Sequence, residues 1–325
     1  METILVTGGA GFIGSNFVRY MLSKYKEYKI INIDALTYAG NLDNLKDISN
    51  KQNYTFIKGN ITDKEFVDKV MKNGIDYIIN FAAESHVDKS IENSNVFIKT
   101  NVMGTQILLD AARKYSVKKY IQISTDEVYG SLGDKGYFTE KTPIAPNNPY
   151  SASKASADLM VRAYYETYNL PINITRCSNN YGAYQYPEKL IPLMIYHAYE
   201  NKLLPIYGNG LNIRDWIHVE DHCTAIDSVL HYGQEGEIYN IGANNEKTNL
   251  DIVKMILNEL GKDYELINYV EDRLGHDYRY AIDAAKINKE LNWQPKYSFE
   301  EGIKKTINWY LNNIEWWRKI IQKQK

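Results

Sequence analysis

Tyr150 and Lys154 stand four residues apart at the head of an apolar-periodic run that extends to residue 168. On a helix that spacing puts both on one face. An ammonium held near a phenol favours the phenolate, drawing its pKa toward working pH so that it can act as a base. A second pair, Asp126 and Glu127, closes an apolar run over 119–124. Carboxyls at the C-terminal end of a parallel strand sit where open α/β sheets bind ligands. In unlike environments one can give a proton while the other takes one. A third feature is the set of glycines at 8, 11 and 14, lying between a β-branched run and a helical one. Such a turn lets backbone amides approach a pyrophosphate at a helix N-terminus. Asp34 follows Gly14 by 20 residues, where a carboxylate binds ribose hydroxyls and repels a 2′-phosphate, which selects NAD over NADP. Each feature has a bland alternative: a solvated helix face, a helix-capping Asp beside a solvated Glu, a purely structural glycine turn. Their joint occurrence in this order favours the chemistry.

The elements needed to position these groups are legible. Short apolar runs at 3–7, 29–33, 54–58, 77–82 and 119–124 alternate with helical patterns at 13–24 and 96–115. Continuous rather than alternating apolar runs mean a parallel sheet covered on both faces, and right-handed crossovers make it doubly wound. The predicted fold is therefore α/β, a Rossmann-type doubly wound parallel sheet over residues 1–178, followed by a smaller, mostly helical substrate lobe over 179–325. Helical pieces recur there at 191–200, 219–231, 249–260 and 299–312, and two segments near 214–241, residues 214–219 and 237–241, are candidates to return to the main sheet.

Composition narrows the class. The 325 residues are 44% hydrophobic and 24% charged, the balance of a globular protein. Lys plus Arg number 38 against 40 Asp plus Glu, so the basic surplus of a nucleic-acid protein is missing. No 18-residue apolar run suggests a membrane span. Cys177 and Cys223 form neither a disulfide framework nor a metal motif, and no spacing of the histidines suggests a metal. A reduced, cytoplasmic chain without a signal peptide is the expectation. Cys177 reads as a small core residue, and His86, His197, His218, His222 and His231 read as structural.

The glycine turn together with Tyr-Ser-Ala-Ser-Lys at 150–154 resembles the extended short-chain dehydrogenase/reductase family. Within it, Ser124-Thr125-Asp126-Glu127-Val128-Tyr129-Gly130 is similar to the signature of the nucleotide-sugar 4,6-dehydratases, most closely those that act on dTDP-glucose. Matches run almost the length of the chain: residues 34–41, 82–88, 176–182, 188–192, 214–216 and 272–277. Asn60, Ala183, Leu274, Ala35 and Phe81 depart from the family pattern, which has Asp, Pro, Pro, Lys and Leu there. The amide oxygen of Asn60 is still expected to accept from an adenine amine.

The resemblance implies a hydro-lyase making a 4-keto-6-deoxy sugar nucleotide for deoxysugar (rhamnose-type) biosynthesis, with NAD recycled in each turnover. It implies Tyr150, stabilised by Lys154, as the base at the carbon-4 hydroxyl, Thr125 as a hydrogen-bond partner of the same oxygen, Glu127 as the base at carbon 5 and Asp126 as the acid. Cofactor contacts are implied for Gly8, Gly11, Phe12, Ile13, Gly14, Asp34, Leu36, Thr37, Asn60, Ile61, Phe81, Ala82, Ala83, Ser85, Thr100, Tyr150, Lys154 and Asn180. Substrate contacts are implied for Ser85, Thr125, Asp126, Glu127, Asn179, Lys189, Leu190, Pro205, Tyr207, Asn249 and His276, with Arg214 and Arg273 as pyrophosphate forks. A homodimer is implied through the helical runs 95–115 and 152–168, with Ile107, Leu108, Leu159 and Tyr164 as seam candidates. Three alternatives stay open: a dehydratase of UDP-glucose or another hexose nucleotide, a sugar-nucleotide 4-epimerase or decarboxylase, and an NAD-sensing scaffold. An epimerase has no use for the Asp126–Glu127 pair, and a sensor no use for the set of five.

Overall fold

The computed structural model describes residues 1–272 and 276–323. Its strands are β1 (Glu2–Thr7), β2 (Tyr28–Asp34), β3 (Tyr54–Lys58), β4 (Tyr77–Asn80), β5 (Lys119–Thr125), β6 (Ile172–Cys177), β7 (Asn179–Tyr181), β8 (Leu204–Tyr207), β9 (Ile213–His218), β10 (Ile238–Ile241), β11 (Glu246–Thr248) and β12 (Ile267–Val270). Seven of them form one sheet in the order β10-β6-β5-β4-β1-β2-β3, and every pairing in it is parallel. The order reverses between β1 and β4, so their C-terminal ends open a crevice.

Apolar side chains cover both faces, as continuous apolar strands require. Ile4, Val6 and Ile30 pack under Phe17, Met21, Ile226 and Val229 on one face. Leu5, Ile31 and Ile78 pack under Val67, Val70, Leu108, Leu109 and Val161 on the other. A third core, with Ile191, Met194, Ile252, Ile256, Phe299 and Ile303, holds the helices Leu190–Tyr199, Asn249–Leu260 and Phe299–Asn312 together.

Of the two segments expected to rejoin the main sheet, β10 does. Ile213–His218 instead lies at the centre of a separate sheet, β11-β9-β7, and β12 pairs with β8 in a third. At Asn179 the chain turns away from the main sheet, to which β10 later returns, and β9 pairs in parallel with β7 there. The helical run expected over 96–115 begins at Asn95 and is interrupted by a π-helical segment, Ile98–Gly104, before the α-helix Thr105–Lys114. Asn101 lies in this segment and is almost fully buried. Its side chain bonds both backbone groups of Glu84, at 2.9 and 3.0 Å, and donates to Ser153 Oγ at 2.8 Å. π-Segments often mark functional places, and this one ties the loop after β4 to the helix carrying Tyr150. Two of the four seam candidates prove to be core: Leu108 is fully buried, and Tyr164 is buried with its hydroxyl donating to Asp110. The large hydrophobic residues left exposed on these elements are Val96, Ile98, Met103, Leu159 and Tyr168.

Candidate active site

The crevice is a cleft of about 770 Å³ floored by the C-terminal ends of β1, β2, β4, β5 and β6 and walled by the segments after residue 179. At its first end the chain leaves β1 through Gly8 at φ +70°, where a Cβ would lie 2.6 Å from Ala82 N. A Cβ on Gly14 would lie 2.5 Å from Gly8 O. Only glycine allows this approach of turn, helix and neighbouring strand. The helix Phe12–Lys24 then starts at Gly11 without a side-chain cap, so its first N–H groups remain available to an anion. Asp34 ends β2, buried, with Oδ2 accepting from Ala10 N at 2.9 Å and Oδ1 from Leu36 N at 2.8 Å. Burial raises its carboxyl, and these two amides oppose the shift. The crowded glycine cradle, the open helix end and the carboxylate one strand away fit a dinucleotide.

Thr7, Asn80, Gln122 and Tyr120 are bonded together beneath this floor. Thr7 donates to Asn80 at 2.6 Å, and Asn80 donates to Gln122 at 2.9 Å and Tyr120 at 3.1 Å. Buried polar groups satisfied in this way fix the ends of β1, β4 and β5 relative to one another.

In the middle of the cleft, β5 ends in Thr125 and turns at once into a short 3₁₀ helix, Asp126–Tyr129. Thr125 caps it: its hydroxyl accepts from Glu127 N and donates to Asp126 Oδ1, both at 3.3 Å. Asp126 is 2% exposed. Its pKa is raised well above the usual value, by burial first and then by the neighbouring carboxyls of Glu127 and Asp215. Glu127 is half-buried and raised too, by burial first, but Arg214 and Lys189 pull it down. The two carboxyls are thus adjacent and unequal.

Tyr150 and Lys154 lie on the helix Pro149–Tyr168, whose start is set by an Asn148 cap, a capping box with Ser151 and proline at the first position. Both line the cleft with Thr125, Asp126 and Glu127. The expected lowering of the phenol is not what the structure has. Burial, then Glu127, holds Tyr150 well above its ordinary value, and the Lys154 ammonium donates to Ile123 O at 2.6 Å. Lys154 itself is lowered by burial, with Asp158 opposing. Helical spacing gave the shared face but could not foresee desolvation.

Phe12, Ile13, Thr37, Asn60, Ile61, Phe81, Ala82, Ala83, Ser85, Thr100 and Asn180 all line the same cleft, as do Asn179, Lys189, Leu190, Pro205, Tyr207, Arg214, Asn249 and His276. Leu36 does not: it packs against the core and contributes its N–H to Asp34. Arg273 lies outside the described residues. Asn60 Oδ1, expected to accept from an adenine amine, already accepts from Thr62 N and Oγ1 in a local turn. Arg214 spends donors on three carbonyls, those of Ile213, Asp277 and Tyr278, with its guanidinium over the Tyr280 ring at 4.3 Å. His86, read as structural, faces the cleft with Nε2 3.4 Å from Glu188. Cys177 also lines it, but burial pushes its thiol up to about 12, so it holds no thiolate. Among the described residues no cluster of three His, Cys, Asp or Glu could hold a metal, and no helix is long and apolar enough to cross a membrane.

Sequence reasoning missed Tyr38, Asn148, Tyr280 and Glu188. Tyr38 bonds Ser85 at 3.3 Å and stands edge-on to Tyr186, joining the loop after β2 to the opposite wall. Asn148-Pro149 carried a legible cap signal. Tyr280 carried none, since its place depends on the path of residues 276–282 back across β9.

The chain belongs to the GDP-mannose 4,6 dehydratase family, whose model matches residues 5–306. Within that class it is similar to the dTDP-glucose 4,6-dehydratase of Escherichia coli, at 50% identity over 98% of this chain and 96% of that one. It is 53% identical to the low-salt glycan biosynthesis protein Agl12 of Haloferax volcanii, over 96% of this chain and 99% of that one. Among solved structures, dTDP-glucose 4,6-dehydratase from Bacillus anthracis in complex with NAD superposes with a TM-score of 0.93 at 58% identity, covering 98% of this chain and 100% of the other.

Proposed function

We propose that this chain is a dTDP-glucose 4,6-dehydratase: it removes water across carbons 5 and 6 of the glucose unit and leaves a 4-keto-6-deoxy sugar. The observation that carries this reading is the pair of adjacent, unequally held carboxyls, Asp126 and Glu127, on one cleft with Tyr150. NAD, when bound, supplies the oxidant for carbon 4 and returns what it takes. The glycine turn, Asp34 and Lys154 are the residues to hold it, and residues 1–178 serve it while 179–325 serve the sugar nucleotide. Tyr150, which burial keeps as the phenol in the unliganded chain, would be drawn to its phenolate by the positive charge of bound NAD; in that form it accepts the proton of the carbon-4 hydroxyl, and Thr125 holds that oxygen. A carbonyl at carbon 4 acidifies carbon 5, whose proton Glu127 takes. Asp126, the more strongly raised carboxyl, protonates the departing hydroxyl.

Incubation with dTDP-glucose and, separately, UDP-glucose tests the assignment by NMR of the products. A 4-keto-6-deoxy product from dTDP-glucose at the higher kcat/KM is expected; no such product from either would overturn it.

The same proposal includes a homodimer through the helices Thr105–Lys114 and Pro149–Tyr168, the π-segment Ile98–Gly104 and the helical turn Asn95–Phe97 before it. It is supported by Val96, Ile98, Met103 and Leu159, large apolar residues left in water on those elements. Light scattering at micromolar concentration is expected to give twice the chain mass, and a Met103→Glu, Leu159→Glu double variant the single mass. A monomer mass for the unmodified chain would rule the dimer out.

A further inference from the structure

Among the described residues around Asp126, buried polar atoms are poorly provided for: Asp126 Oδ2 and Ser124 Oγ have no hydrogen-bond partner, and Ser178 Oγ and Asp215 Oδ2, which interact with one another, have none of ordinary geometry. Strand register explains why three of them gather. Thr125 of β5 stands opposite Cys177 of β6, and Asn179 of β7 stands opposite Trp216 of β9. Ser178 lies between Cys177 and Asn179, so one step along its flanks are Asp126 on one side and Asp215 on the other. Asp126 and Ser178 are each 2% exposed and Asp215 is 1% exposed. Orphaned polar atoms are uncommon in native interiors and call for a reason. The steps derived above make no use of Asp215.

The two carboxyls are unequally provided for. Asp215 Oδ1 accepts from Asn245 N at 2.7 Å. Burial first, with the Glu246 carboxylate, raises Asp215 to about 6, opposed by the amides of Asn245 and Ala243 and by the Ser178 hydroxyl. Glu246 is in turn held by Arg279 through bonds of 2.6 and 2.9 Å. Among the described residues, Asp126 accepts only from the Thr125 hydroxyl, at 3.3 Å. Of the charged groups facing it, Glu127 and Asp215 disfavour its ionisation and Arg214 favours it, while the Tyr150 phenol and Cys177 thiol complete its surroundings. Two carboxyls in one dry site do not both ionise, and the proton remains on the one with fewer donors.

We propose that Asp215 is a positioning residue for the acid of the reaction: its carboxylate, set across Ser178, keeps the proton on Asp126 until the departing hydroxyl takes it. This rests on the function proposed above and names what prepares its acid. In the step, the O–H bond of Asp126 breaks, the hydroxyl leaves carbon 6 with the bonding pair, and the proton joins it as water. Asp126 is then an anion beside the anion of Asp215, which favours recapture of a proton. The proton that Tyr150 gained from the carbon-4 hydroxyl matches the one Asp126 lost, so transfer through solvent closes the cycle.

Asp215→Asn keeps the shape and an acceptor for Asn245 and removes the charge. The alkaline limb of kcat, where Asp126 loses its proton, is expected to move about one pH unit to the acid side, with KM unchanged and the limb restored in Asp215→Glu. A merely structural role lowers kcat at every pH and leaves the limb in place, and that result would overturn the proposal. A second readout needs no turnover. The infrared band of a protonated carboxyl, isolated as unliganded wild type minus Asp126→Asn, is expected to persist at neutral pH, where a free aspartic acid, with a pKa of about 3.9, is ionised. Its titration midpoint should fall in Asp215→Asn by the same amount as the limb. An unmoved midpoint counts against Asp215. Should Asp215→Asn fail to fold, absence of the wild-type band at that pH overturns the proposal. Because the band is read without substrate, a protein that carries it but turns over no nucleotide sugar loses the proposed function alone.

Discussion

Asp126→Asn and Glu127→Gln are expected to oxidise dTDP-glucose and then stop, with kcat lowered by about 10²–10⁴-fold in each, the usual contribution of a positioned acid or base. An amide at 126 has no acidic proton for the departing hydroxyl, and an amide at 127 cannot take the carbon-5 proton. Near-ultraviolet absorbance of the bound dinucleotide should therefore rise on mixing and fail to decay. Exchange of the carbon-5 hydrogen with deuterated water separates the two: it persists in Asp126→Asn and is lost in Glu127→Gln. Tyr150→Phe removes the first base and should give no rise at all. Formation of the 4-keto-6-deoxy product at wild-type rate by both carboxylate variants would sink the assignment of acid and base to this pair, and inversion at carbon 4 without loss of water by the unmodified chain would bring a 4-epimerase forward.

The pH dependence follows from the same two groups. Glu127 must be ionised to act as a base, and its pKa is raised, by burial first. Activity is thus lost, on acidification, at a higher pH than an ordinary glutamate near 4.3 would give. Asp126 must be protonated, and its stronger upward shift extends the working range on the alkaline side. The two shifts leave a window between them in which one carboxyl is charged and the other is not.

The sequence made the first half of the molecule readable because its signals are local. A run such as Ile4-Leu5-Val6 before Gly8 and Gly11 has one economical reading, and β1 with its glycine turn follows it. The Tyr150–Lys154 spacing needed only helical geometry. What stayed hidden depends on pairing over long separations. The path of β9, displaced from the main sheet by its pairing with β7 and β11, places Asp215 near Asp126 across some 90 residues of chain, and no periodicity encodes that. Electrostatics were the other gap. Lys154 reads as the partner of Tyr150, yet its ammonium meets Ile123 O, a contact fixed by how closely the helix settles on β5.

That close seating of the helix supplies the last prediction. Arg176 on β6 and Asp158 on the helix Pro149–Tyr168 bond at 2.9 Å, with side chains 3% and 1% exposed. Asp158 stands one turn beyond Lys154, whose charge it favours. The guanidinium also lies 4.8 Å from the Tyr129 ring centroid, and Tyr129 donates to Asn240 on β10 at 2.8 Å. The pair thus pins the helix bearing Tyr150 and Lys154 to the strands beneath it. Removing one partner of a buried ion pair leaves the other charge dry and uncompensated, which costs about 3–5 kcal/mol. Asp158→Ala is expected to lose that much in urea unfolding, lowering the midpoint with little change in slope. Replacing both groups by apolar ones, Asp158→Leu with Arg176→Met, should recover most of the loss, because neither charge is then buried. A loss below about 1 kcal/mol in Asp158→Ala, the range of exposed ion pairs, would mean that water reaches Arg176 and that the helix is held by its apolar face alone.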